Sequence, residues 1–185
     1  MEIREDRGFA GNPLMQTLEK VFLLKKVHYQ DAHLILTFLG ENLGRFSALA
    51  YQAKVSQKRG GGLLDYTNLL EIELSAQPKS RLPVVQNIQL QASFAYIRQD
   101  YERLEKTLLW FNFLNKAIQE SQVIRGLFEN IQSALARMNS PEEPTHVDLD
   151  FKKKLLTQLG YHFEWKYPDS KAINKFAQHH LGFGF

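Results

Sequence analysis

Residues Gly44 to Leu64 read GRFSALAYQAKVSQKRGGGLL, and the fold is read outward from them. Arg45 to Lys54 has the small and aromatic residues of a tightly curved strand, with Ala48, Ala50 and Ala53 around Tyr51. It runs into a basic loop, Lys54 to Arg59, closed by three glycines. No acidic residue lies between Glu41 and Asp65, so Arg45, Lys54, Lys58 and Arg59 give this window +4 on a chain whose net charge is only +3. Cations track phosphates and an aromatic face stacks bases, so the combination suits a polyanion with exposed bases. The alternative is a solvated loop with ordinary surface lysines. Glycines allow close backbone approach, and they equally make a flexible turn.

On either side of this stretch the pattern is that of short strands. Lys20 to Tyr29 (KVFLLKKVHY) and His33 to Leu39 (HLILTFL) form a hairpin through Gln30-Asp31, and Glu41 to Gly44 turns into the strand above. Leu69 to Leu74 alternates, with Leu70, Ile72 and Leu74 on one face against Glu71 and Glu73. Gln77 to Pro83 is a loop bearing Lys79 and Arg81, and Val84 to Phe94 is the fifth strand. Five short strands followed by helices predict an α+β chain: a five-stranded OB-fold β-barrel over residues 17–95, then an all-α domain over 96–185. Residues 1–16 are expected to be a disordered leader, with Met15 an alternative start.

Past Phe94 the period changes from 2 to 3.6. Ile97, Tyr101, Leu104, Leu108, Phe111, Leu114 and Ile118 mark a first helix that Leu109, Trp110 and Phe113 make apolar nearly all round. Ile124 to Met138 marks a second, ended at Asn139-Ser140-Pro141. Thr145 to Asp148 matches a capping-box start for a third that Gly160 stops. A last amphipathic segment carries Ile173, Phe176 and Ala177.

Composition bounds the function. The 185 residues are 44% hydrophobic, enough for a core, and the pI near 9.0 is mild, so only the placement of charge speaks for nucleic acid. There is no cysteine, which excludes disulfides and thiolate chemistry. No apolar run reaches membrane-spanning length, so no membrane is expected and the cytoplasm is. His28, Asp31 and His33 lie close together and open a metal-hydrolase reading. Their hairpin context and the absence of phosphate-loop or serine-hydrolase motifs weigh against it, and neither enzyme activity nor a cofactor is expected. His179-His180 reads as a frayed helix end.

The succession VFLLKKVHYQDAHLILTFLGENLGRFSALAYQAKVSQKR (21–59), LLDYTNLLEIEL (63–74) and FKKKLLTQLGY (151–161) resembles the RecO family of bacterial recombination mediators. The resemblance covers residues 18–161. Its sharpest parts are Tyr29 with Asp31, Gly44-Arg45, Leu69 to Leu74, and Leu155 to Tyr161. Tyr51-Gln52 stands where the family reads Arg-Gly, Tyr66 replaces a proline, and the zinc-binding cysteine cluster of many relatives has no counterpart. The resemblance implies a short form that binds single- and double-stranded DNA, anneals complementary strands and, with RecR, helps load RecA on DNA coated by the single-stranded-DNA-binding protein SSB. It also implies a nucleoid association and docking on the acidic, Phe-terminated C-terminal tail of SSB.

On this reading Arg45, Lys54, Lys58 and Arg59 contact phosphates, Lys25, Lys26, Lys79 and Arg81 assist, and Tyr51 stacks a base. Trp110, Phe111 and Phe113 with Lys106, Lys116 and Arg125 are candidates for the partner peptide, against the alternative that the aromatic stripe is core. Lys152, Lys153 and Lys154 read as a solvated helix turn and as weak candidates for peptide or DNA. A protein-interaction adaptor without DNA binding stands as the other reading.

Overall fold

The computed structural model describes residues 16–30, 32–53, 62–76, 81–161 and 169–185. The expected leader, except Gln16, lies outside them. Five strands, β1 (Gln16–Tyr29), β2 (His33–Gly40), β3 (Gly44–Ala50), β4 (Asn68–Ser75) and β5 (Val84–Ser93), form a sheet closed on itself in the order β1-β2-β3-β5-β4. A 3-10 helix (Ala95–Gln99) leads into α1 (Tyr101–Ala117), α2 (Leu127–Met138), α3 (Pro144–Gln158) and α4 (Ser170–Leu181).

β1 begins at Gln16, earlier than its sequence pattern suggested, because residues 16–22 pair with β4 while residues 21–29 pair with β2. Its VFLL run is apolar on both faces for a physical reason. Val21 and Leu23 point into the barrel with Leu36, Phe38, Ala48, Ala50, Leu70, Ile72 and Leu74. Phe22 and Leu24 point outward into a second core with Leu39, Leu69 and the helices. Period-2 alternation therefore holds, with a core on each side. The alanines of β3 are buried inside, as a tight barrel requires.

β3 is well paired with β2 but meets β5 at one position, Leu49↔Val84. Its open edge is covered instead by the α1–α2 connection. Arg45 bridges Glu120, the Ser121 amide donates to the Arg45 carbonyl at 2.7 Å, and the Ser47 amide donates to Glu120 Oε1 at 3.1 Å. An uncovered edge would offer a template for pairing with another chain.

The helical half corrects two expectations. In α1 the buried residues include Arg103 and Thr107, while Tyr101 is 79% exposed and Leu108 and Leu109 are partly open. Arg103 is buried because it donates to the Met138 and Glu142 carbonyls at 2.9 and 2.8 Å, tying α1 to the end of α2. α3 starts with Pro144 behind Glu143, whose carboxylate accepts from the Thr145 amide. Thr145 is therefore inside the helix and is not its cap. Among the described residues no helix is long and apolar enough to cross a membrane.

Asp65, at the entry to β4, gives a pH prediction. Burial pushes its carboxyl up. The Thr67 hydroxyl and amide at 2.6 and 2.7 Å and the Arg98 guanidinium at 3.3 Å outweigh that and hold its pKa below the ordinary 3.8. The unfolded chain then binds more protons in that window. The stabilisation is full above about pH 3.8 and is lost as pH falls through the folded value. Urea unfolding of Asp65→Asn against the parent chain should show a deficit at neutral pH that shrinks in acid. A pH-independent deficit contradicts this.

Candidate nucleic-acid interface

Three connections meet on one rim of the barrel: the β1–β2 turn, the exit of β3 and the β4–β5 link. The register fixes this, because Tyr29 pairs with His33, Leu34 with Ala50, and Leu49 with Val84, while the Leu49 amide donates to the Pro83 carbonyl at 2.9 Å. Of the residues read as nucleic-acid contacts, Lys25, Lys26, Tyr51 and Arg81 come to this rim or its flank, and Lys25, Lys26 and Arg81 are exposed. Lys26 reaches across to the Leu64 carbonyl at 3.3 Å, next to the return of the basic loop. Lys54, Lys58, Arg59 and Lys79 lie outside the described residues.

Tyr51 is half-buried, its ring edge-on to His33 with centroids 5.1 Å apart. The next residue, Gln52, has φ 52 and donates its amide to His33 Nδ1 at 3.0 Å. That bond helps hold a left-handed turn unusual for a residue with a side chain. His33 thus fixes the end of β3, a role the sequence reading did not assign. His33 and Gln52 are nineteen residues apart in sequence, so only the pairing register shows the contact. The same register weakens the metal reading: His28 pairs with Leu34 and His33 with Tyr29, so the two imidazoles lie on opposite faces of the hairpin. Asp31 lies outside the described residues.

Arg45 does not join the rim. It stands at the start of β3, and the six residues to Tyr51 span about 20 Å at strand rise. Its guanidinium donates to Glu120 Oε2 at 2.7 Å and to Asn115 at 3.5 Å, so its charge is already engaged in holding helix to barrel.

The aromatic candidates for a partner peptide are also corrected. Trp110 and Phe113 are 1% and 0% exposed, and Phe111 is buried with them. Trp110 donates Nε1–H to Asp148 at 2.7 Å and packs on Phe151, while Phe113 is covered by Phe183 and Phe185. Lys106 is half-buried and paired with Glu102 at 3.3 Å, and Lys116 is exposed. Arg125 lines a separate cleft of about 180 Å3 with Gly44 and Val123. Lys152 is not solvated either: at 2% exposure it pairs with the buried Asp148 at 2.8 Å. Burial lowers its pKa more than the Asp148 carboxylate raises it. Lys153 and Lys154 border an open groove of about 520 Å3 with Asn130 and Gln158.

Residues 15–94, the whole barrel, match the family described as Recombination protein O N terminal. The comparisons support a RecO family protein. It is similar to the DNA repair protein RecO of Desulfatibacillum aliphaticivorans, 26% identical over 140 residues that cover 75% of this chain and 54% of that protein. The RecO of Maridesulfovibrio salexigens is 24% identical over 147 residues, covering 80% and 60%. That of Rhodopirellula baltica is 27% identical over 139 residues, covering 75% and 52%. The chain thus spans little more than half the length of these RecO relatives.

In this chain two of the resembling motifs have structural work. Gly44 (φ +65) passes so close to the α1–α2 connection that a Cβ would sit 2.1 Å from the Gln122 carbonyl oxygen, and Arg45 forms the ion pair beside it. Leu155 and Leu156 are core, and the Tyr161 amide donates to the Leu156 carbonyl at 2.9 Å past Gly160 (φ 92), closing α3.

Proposed function

We propose that this chain is a non-enzymatic DNA repair and recombination mediator whose barrel is an OB-fold that binds and anneals single-stranded DNA. The reading extends to double-stranded DNA, to RecR and the C-terminal tail of SSB as partners, to loading of RecA on SSB-coated DNA, and to a place in the cytoplasm at the nucleoid. The observation that carries it is the family match over the barrel, residues 15–94. The strand order β1-β2-β3-β5-β4 and the convergence of the β1–β2 and β4–β5 links support an OB reading, since those two links are where such barrels grip oligonucleotides. Exposed Lys25, Lys26 and Arg81 support a phosphate track with Tyr51 as the stacking platform, to which the basic composition of 54–59, outside the described residues, would add.

Fluorescence anisotropy of a labelled single-stranded oligonucleotide tests it. Tyr51→Ala should weaken binding by roughly 1 to 3 kcal/mol, as for one lost base stack, and Tyr51→Phe should keep most of the affinity. No binding by the folded parent chain at low salt rejects the DNA reading and leaves a protein-interaction adaptor. Parent binding with an unaffected Tyr51→Ala rejects only the stacking role.

A further inference from the structure

One imidazole holds the exit of β3 at two points. The His33 ring meets the Tyr51 ring edge to face, with centroids 5.1 Å apart and planes 82° apart. Its Nδ1 accepts the Gln52 amide at 3.0 Å, and Gln52 is left-handed at φ 52. A nitrogen that accepts a hydrogen bond carries no proton, so in this arrangement the ring is neutral with its hydrogen on Nε2. Taking a proton turns Nδ1 into a donor that faces another donor. The bond is then lost and the two N–H groups oppose each other.

The turn leans on that bond. A left-handed backbone is costly for a residue with a Cβ and persists where its surroundings hold it. The sheet does not hold Gln52, because the β2–β3 ladder ends with Leu34 opposite Ala50. Tyr51 and Gln52 follow directly, and His33 is what the Gln52 amide finds there. Tyr51 is half-buried, which leaves part of its ring open to a base.

The titratable groups around His33 are mostly aromatic or basic. From β1, Tyr29 is its pairing partner, and His28 lies on the other face of the hairpin. Tyr51 faces it from the β3 exit, and Lys25, Lys26 and Arg81 stand on the same rim or its flank. Asp31 lies outside the described residues. No carboxylate is among the described contacts of His33, so no described acid replaces the bond that a charged ring gives up.

We propose that His33 is a positioning residue for Tyr51: its neutral Nδ1 holds the left-handed turn that presents the ring, and protonation of the imidazole releases the turn and switches the base stack off. The proposal rests on the DNA-binding reading above and adds a control to it. Acid by itself acts in the opposite sense, since a histidine that gains charge at this rim strengthens phosphate contacts. The switch is therefore read in the part of the affinity that Tyr51 supplies.

The measured quantity is the ratio of parent to Tyr51→Ala affinity for a labelled single-stranded oligonucleotide, at about pH 8 and about pH 5, which bracket histidine titration. The ratio should be about tenfold at the higher pH, as for one base stack. In acid it should fall about fivefold, as for one lost hydrogen bond. His33→Asn offers Oδ1 to Gln52 and takes no proton, so in that background the Tyr51 ratio should stay high at both pH values. His33→Phe/Gln52→Gly keeps a ring, drops the acceptor and gives the turn to a residue that adopts positive φ freely, and its ratio should likewise ignore pH. A DNA-free readout accompanies these: the NMR scalar coupling between the Gln52 amide nitrogen and His33 Nδ1 should be present at the higher pH and absent in acid. Loss of the coupling together with the fall in ratio supports the proposal. A coupling that persists in acid overturns it, as does a parent ratio that ignores pH or one that falls equally in His33→Asn. A parent chain that binds no oligonucleotide at either pH rejects the DNA reading and the stacking role with it, while the coupling still shows whether the turn itself responds to the proton.

Discussion

Gly44→Ala is expected to destabilise the protein by about 3 kcal/mol or more, the combined effect of a left-handed residue with a side chain and of overpacking against rigid backbone. At φ +65 the new Cβ would stand 2.1 Å from the Gln122 carbonyl oxygen and 2.5 Å from its carbon. Neither atom belongs to a flexible side chain, so relief requires the α1–α2 connection to move off the edge of β3. That movement would also disturb the Glu120 contacts with Arg45 and Ser47. Thermal unfolding should fall by roughly 10 °C, at about 2 to 4 °C per kcal/mol for a chain of this size. A shift of a degree or less would mean that the barrel and helices are not locked at this point.

The second large effect is expected in the buried pair below α4. Asp148 accepts from Trp110 Nε1, pairs with Lys152 and lies 3.4 Å from the Ser170 hydroxyl, and both charges are almost wholly out of water. Lys152→Met leaves Asp148 buried without its counter-charge, which should destabilise by roughly 3 to 5 kcal/mol. Asp148→Asn/Lys152→Met removes both charges while keeping an acceptor for Trp110, and should recover most of the loss. Urea unfolding of the two variants checks this. A single variant as stable as the double would show that the pair contributes nothing as a pair.

These two sites mark how far the sequence could be read. The strands of the barrel were legible because alternation at Leu70, Ile72 and Leu74 and the alanines of β3 report one buried face directly. The helices were legible as elements, but α1 was not legible as a surface. Its burial of Arg103 follows from two distant carbonyls, those of Met138 and Glu142, which no periodicity reports. Lys152 looked solvated because it opens a run of three lysines, yet its place on α3 is set by Asp148 one turn earlier, an i, i+4 pair that happens to face inward.

The candidate interface divides in the same way. Its basic loop and Tyr51 were visible as local composition, whereas the role of His33 depends on the β1–β2 register and the Gln52 backbone. Arg45 was grouped with the loop by closeness in sequence. A strand carries its two ends to opposite rims, and the partners Arg45 finds there, Glu120 and Asn115, lie some seventy-five and seventy residues away.

On the proposed function, DNA binds at the rim where β3 exits and not at the rim where it begins. Salt-dependent anisotropy on a single-stranded oligonucleotide tests it most directly, comparing the parent chain, Lys54→Ala/Lys58→Ala/Arg59→Ala and Arg45→Ala. For single strands each phosphate contact contributes about −0.7 to the log-log slope, so the triple variant should be shallower by roughly two units while Arg45→Ala keeps the parent slope. A triple variant with the parent slope, or an Arg45→Ala protein that stays folded and loses as much slope as the triple, would contradict the account.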